Sequence, residues 1–242
     1  MRNFLNVSYL FLIITVLVYL SWSSLFNLDV QKCSKVQIKV DTEEDLFFIN
    51  TEIIEEMIFS KVDSLIGKEY EDINIYLLEE FVNEHPNIKK AELYLSLHGT
   101  LSIGVKQREP LVRVFEGNES YYLDEEMNRF ELSGQYSARV LHVYWDKITE
   151  SRISILGPLI NLIDSDKFLN AQITAITFDE NNEIALYPRV GAHKIILGEA
   201  EHFRKKLEKL KVFYRHGLGK VGWDRYSKIN LKFQNQVVCT KR

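Results

Sequence analysis

The chain has 242 residues, 46% hydrophobic and 26% charged, an ordinary balance for one large globular domain or two small ones. A net charge of −4 excludes a global pull toward nucleic acid, and two cysteines, Cys33 and Cys239, exclude a disulfide framework and a cysteine-based zinc site. The charge steps along the chain: residues 29–109 carry 9 basic and 17 acidic side chains, whereas 110–242 carry 20 basic and 17 acidic, which fits two domains with different surfaces.

No charged side chain occurs from Asn3 to Leu28, and the densest part reads YLFLIITVLVYLSW. That length predicts a transmembrane helix over residues 7–28, since about 20 apolar residues span a bilayer. Residues 1–6 then form a short cytoplasmic end, and Tyr9, Tyr19 and Trp22 are placed for the interfaces. A cleaved leader would have a shorter apolar core followed by small residues, and SWSSLF supplies a poor site. Lys32, Lys35 and Lys39 follow the span while Arg2 alone precedes it, a bias against an N-inside anchor. Large domains translocate despite such modest counts.

The first soluble unit is expected over residues 29–109. In KVQIKV, Val36, Ile38 and Val40 alternate as in a strand. Ile53, Ile54, Met57, Ile58 and Val62 form a helical stripe, capped by Asn50 or Thr51. A second helix places Leu77, Leu78, Phe81 and Val82 inward and stops before Pro86. Ala91, Leu93, Leu95 and Leu97 alternate, His98-Gly99 turns the chain, and Leu101, Ile103 and Val105 alternate back. The order βααββ gives a small α+β core.

Pro110 marks an exit, and the second unit is expected over 110–242. LVRVF, YYLDEEMNRFELS and RVLHVYW read as short strands. ISILGPLINLIDSDKFLN reads as a helix, with Gly157-Pro158 at its start. ITAITF and EIALY flank DENN as a hairpin, and HKIILG is another strand. Phe203, Leu207, Leu210 and Tyr214 mark an amphipathic helix that Gly217 is placed to cap. Lys205, Lys206, Lys209 and Lys211 read as its solvated side rather than a phosphate patch. KINLKF and VVCTK close the chain as a hairpin. The fold class is therefore α+β: an N-terminal transmembrane helix, a βααββ domain, and a strand-rich domain with two helices.

Motifs for chemistry are lacking. Gly217, Gly219 and Gly222 match G-x-G-x-x-G, but a helix precedes them and a strand follows, the reverse of a dinucleotide site. None of the six histidines has metal-ligand spacing, and no nucleophile elbow occurs. The reading is a non-enzyme without cofactors or a small-molecule substrate. A Cys33–Cys239 bridge stays open outside the cytoplasm.

A single anchor followed at once by βααββ resembles the polypeptide-transport-associated (POTRA) domain of the bacterial division family FtsQ/DivIB. DINIYLLEEFVNEHPNIKKAELYLSLHGTLSIGVKQREP carries the likeness: a helix, a proline turn, the I..A.. opening of the hairpin and an exiting V.QREP strand. YYLDEEMN and the strand-rich second unit extend it over nearly the whole chain. The resemblance implies a bitopic inner-membrane protein with its bulk in the periplasm at the septum. It implies FtsB/DivIC-like and FtsL-like bitopic partners, with links to other septal proteins. A membrane-anchored POTRA module handling polypeptides in secretion or outer-membrane assembly is the alternative, but such proteins usually carry several repeats and this chain has one unit.

The last strand has almost nothing after it to cover its edge. An open edge either docks a partner strand or needs guarding against aggregation, here by Lys241-Arg242. With the resemblance, the docking reading names Val237, Val238, Cys239 and Thr240 as the outer strand. Phe233, Val238 and Thr240 would face the partner, joined by Tyr226 and Trp223 just upstream, with Val237 turned inward.

Overall fold

The structure, a computed structural model, describes residues 12–21, 31–41, 48–134, 136–147 and 149–242. Residues 12–21 are helical. Among the described residues no helix is long and apolar enough to cross a membrane. The expected span over 7–28 lies partly outside the described residues, and the expected end over 1–6 wholly so. The remainder packs as two compact units, one formed by Ile49–Lys106 with the strand before it, the other by Gln107–Arg242 with Phe48.

In the first unit, strand β1 (Lys35–Asp41) pairs parallel with β3 (Thr100–Gln107), and β2 (Ile88–Leu95) lies on the other side of β3. Helices α1 (Thr51–Lys61) and α2 (Ile75–Asn83) complete the βααββ order. Asn50 Oδ1 accepts the Ile53 N–H at 2.8 Å and Asn74 Oδ1 accepts the Leu77 N–H at 3.1 Å, satisfying donors that each first turn leaves free. Ile54, Ile58, Leu78 and Val82 bury against Ala91, Leu93, Leu101, Ile103 and Val105. Gly99 turns the hairpin at φ +85°, and a Cβ there would meet the Lys32 carbonyl oxygen at 2.8 Å, so only glycine fits. Leu77 is 56% exposed, not inward, because Leu78 and Val82 already fill the narrow stripe of this nine-residue helix. Leu97 is exposed as well, beyond the end of β2.

The second unit is a nine-stranded sheet in the order β12-β11-β10-β9-β8-β7-β4-β5-β6. Its strands are β4 (Val112–Glu116), β5 (Glu119–Leu123), β6 (Arg129–Phe130), β7 (Leu141–Trp145), β8 (Ile173–Phe178), β9 (Ile184–Pro188), β10 (Lys194–Gly198), β11 (Tyr226–Asn230) and β12 (Val238–Lys241). β4, β7 and β8 run parallel, as do β10 and β11; the other neighbours are antiparallel. Helices α3 (Glu150–Ser165), α4 (Lys167–Gln172) and α5 (Phe203–Phe213) pack on one face. Leu156, Leu159, Ile160, Leu169, Leu207 and Leu210 share one core with Val114, Val143, Ile176, Leu186, Ile195 and Ile229.

Four boundaries differ from the sequence reading. α3 begins at Glu150, where Thr149 Oγ1 accepts the Arg152 N–H, so Pro158 lies inside the helix and not at its start. The proline ring is exposed, and Arg152 fixes the first turn by donating to Asn182 Oδ1 and to the Lys147 and Asp179 carbonyls. Those bonds hold the start of the helix against the break that an interior proline favours. Asp166 then splits the expected single helix in two, its Oδ1 accepting the Phe168 and Leu169 N–H groups. Gly217 does not cap the α5 helix: a helical path continues to Val221, and Gly222 at φ +90° ends it. A Cβ at Gly217 would lie 2.8 Å from the Phe213 ring, so that glycine serves close packing. Finally, β11 stops at Asn230, because Leu231 turns into the core and its N–H donates to the Ile196 carbonyl at 2.9 Å.

Candidate partner-docking edge

β12 is the last strand of the sheet, and among the described residues no strand lies beyond it. Its register opposite β11 is Asn230–Val238, Ile229–Cys239 and Lys228–Thr240, with an irregularity between Tyr226 and Lys228. The Leu231 N–H points to β10, so the N–H groups of Lys228 and Asn230 point to β12 by the two-residue period of a strand. On β12 the Arg242 N–H donates to the Arg225 carbonyl at 3.2 Å. The same period turns the N–H groups of Thr240 and Val238 toward β11, and those of Cys239 and Lys241 outward. The Val238 amide therefore belongs to the hairpin, and the free donors of the edge are one residue along.

Side chains alternate the other way. Val237 and Cys239 pack against the core, whereas Val238, at 42% exposure, and Thr240 face away from it. Phe233 lies in the connecting loop at 46% exposure, and its carbonyl accepts from Lys209 Nζ. Trp223 and Tyr226 are half-buried against the core, Trp223 edge-on to Tyr214 with ring centroids 5.0 Å apart. The named residues thus fall in three places: four on or beside β12, one in the loop, and two at the foot of β11. Burial pushes the Cys239 thiol up from its ordinary range, away from a reactive thiolate, and both cysteines are free thiols.

A groove of about 770 Å³ runs beside the start of β12. Val212, Phe213 and Val237 supply apolar surface, and Arg204, Lys205 and His216 stand along it. The lysines of α5 are less free than their sequence suggests. Lys206 donates to the Glu199 carbonyl at 2.7 Å, Lys209 to the Leu231 carbonyl at 3.2 Å, and Lys211 to Asp166 Oδ2 at 2.6 Å. They fasten the helix to its surroundings and leave no lysine cluster for phosphate.

Sequence reasoning missed the support beneath the hairpin. His193 is buried, and its Nε2 lies 2.7 Å from the Tyr214 hydroxyl. Burial holds the imidazole below its usual range and the phenol above its own. Arg242 reaches back to the Ala192 carbonyl at 2.8 Å and ties the chain end to the same corner. A lone histidine six residues before a glutamate carries no motif, so only the fold reveals its partner. Among the described residues no group of three His, Cys, Asp or Glu side chains is placed to hold a metal ion.

Residues 109–240, more than half of the chain, match the family model described as FtsQ/DivIB, C-terminal related. The chain belongs to the FtsQ/DivIB family. Residues 31–106 match the POTRA-like domain, the βααββ unit described above. No curated protein matches the chain. FtsQ/DivIB is a non-enzymatic division family whose members are generally membrane-anchored at the septum and interact with other division proteins. In this FtsQ/DivIB chain the matched C-terminal region contains the whole nine-stranded sheet except the last residue of β12.

Proposed function

We propose that this protein is a bitopic, non-catalytic divisome scaffold that adds a partner strand to β12. The partners are FtsB/DivIC-like and FtsL-like bitopic proteins, and the bulk of the chain stands in the periplasm on a single inner-membrane anchor over 7–28. The observation that carries this reading is the outward pair of backbone donors at Cys239 and Lys241, on a terminal strand with nothing described beyond it. Main-chain pairing supplies register, and neighbouring side chains supply selectivity. Val238 and Thr240 contact the partner on one face of the added strand, Phe233 contacts it from the loop, and Val237 and Cys239 lie on the core side. Trp223 and Tyr226 brace the foot of the hairpin.

Co-purification from membranes tests the edge. Lys241→Pro removes an outward donor while its side chain is exposed, so the fold persists and the partner is lost. Normal partner recovery with folded Lys241→Pro would remove the strand-addition reading. The topology has its own test, a reporter fused after Arg242 that is active only when exported.

The two units are further proposed to fold separately, hinged near Glu109-Pro110. Phe48 packs with the second unit, so a piece beginning at residue 111 lacks an aromatic anchor. Expression of 30–109 and 111–242 tests this. A stable, cooperatively unfolding second piece supports the hinge, with a lower midpoint than in the full chain.

A further inference from the structure

We infer that the helix-free face of the nine-stranded sheet docks the acidic helical layer of a second copy of this chain. The registers set two rows across that face. One row runs Phe115–Tyr144–Thr177–Ala185–Ile196–Asn230–Val238 from strand to strand and is mostly apolar. Phe115 and Tyr144 stack with ring centroids 4.7 Å apart, and Tyr144 is 42% exposed. The neighbouring row carries the cations Arg113, Lys194 and Lys228. No described strand residue on this face is acidic, and none of these cations makes an ion pair among the described residues. Arg113 donates to the hydroxyls of Ser120 and Ser137, both at 3.3 Å, and lies over the Phe115 ring 5.0 Å from its centroid, but it has no carboxylate partner among the described residues and its Nε is buried without a hydrogen-bond partner.

The complement is on the same chain. Residues 31–41 and 49–106 of the first unit carry 8 basic and 12 acidic side chains, a balance of −4. Helices α1 and α2 contain one cation, Lys61, against Glu52, Glu55, Glu56, Glu79 and Glu80. Their outer surface also exposes Phe59 and Leu77, so it is acidic and apolar together. From Arg113 on β4 to Lys228 on β11 is five strand spacings, roughly 24 Å at about 4.8 Å each. Two helices packed about 10 Å apart fit across that width. The contact joins different surfaces on the two copies, so it is head-to-tail and builds rings or chains. It uses the face of the sheet and not the edge, and it stands whether or not β12 pairs with a partner.

The test is sedimentation velocity of the purified full chain in detergent at rising concentration and at two salt levels. Association should grow with concentration and weaken with salt. Lys194→Glu with Lys228→Glu should weaken it about tenfold or more, since like charges then face each other. Glu55→Lys with Glu56→Lys should do the same, and mixing the two double variants should restore it through swapped charges. All four sites are on the surface, so circular dichroism should stay unchanged; Lys194→Gln with Lys228→Gln gives a milder version of the same loss. A chain that stays monomeric at every concentration would overturn the inference. So would association indifferent to the reversals, or a concentration-independent change in shape.

Discussion

The two ends of the nine-stranded sheet meet the same problem in opposite ways. At one end β6 is two residues long, and an aromatic cluster covers it: Phe48 lies edge-on to Tyr122, Phe130 and Tyr136 with centroids 5.1–5.7 Å apart. The Phe48 N–H also donates to Gln107 Oε1 at 3.2 Å. At the other end β12 is four residues long, its outward amides have no described strand beside them, and Val238 and Thr240 are exposed. Shortening and covering are what proteins do to an edge that must stay closed. The contrast separates an edge built to be shut from one left available.

The comparison is easiest to break at the covered end. Phe48→Ala should cost about 3–5 kcal/mol, the usual loss for deleting a buried aromatic ring. Urea unfolding followed by tryptophan fluorescence reports it, because Trp145 and Trp223 both belong to the second unit. A loss below about 1 kcal/mol would mean that the cluster does not close the edge.

At the open end two proline variants sharpen the account. Val238→Pro deletes a donor that points to β11, leaves the Asn230 carbonyl unpaired, and should cost about 1–3 kcal/mol. Lys241→Pro deletes an outward donor and should cost less than about 1 kcal/mol. Equal losses would contradict the assigned direction of the amides.

Beneath the open end, Tyr214→Phe should cost about 1–2 kcal/mol by leaving buried His193 without its partner. The pH dependence has a definite sign. The folded-state pKa of His193 lies below its ordinary 6.5, chiefly because burial disfavours the charged ring. The unfolded chain then binds more protons, so stability is full above about pH 6.5 and falls as pH drops through that value toward the folded pKa. His142, desolvated and beside Arg113, acts in the same direction nearer the covered end. His193→Gln should therefore flatten part of the acid slope and leave the rest to His142.

The smallest effect is expected back at β6. Arg129 and Glu119 pair at 2.9 Å, but both are more than half exposed. Glu119→Ala should change stability by no more than about 0.5 kcal/mol. A larger loss would shift the closure of that edge from the aromatic rings to the ion pair.

Legibility in the sequence followed the range of the interactions. Periodicity exposed β1, α1, β2, β3 and the buried face of α5, because each buries a face at regular spacing. Asn50 was readable as a cap because capping is local. Pro158 misled because a proline fits a first turn, while the contacts that keep it inside α3 come from Asn182 and Asp179, across the chain. Phe48 could not be placed with the second unit, since its aromatic partners lie more than 70 residues away. The terminal hairpin was readable, but the direction of its amides depends on two distant backbone bonds, Leu231 to Ile196 and Arg242 to Arg225. The rows across the open face depend on strand order, which alternation along single strands does not contain.

Residue-resolved hydrogen exchange of β12, without and with a co-purified FtsB/DivIC-like partner, tests the central claim most directly. In the free chain the amides of Val238 and Thr240 should exchange slowly and those of Cys239 and Lys241 fast, and partner binding should slow the fast pair. Fast exchange at Cys239 and Lys241 with the partner bound would contradict strand addition at this edge.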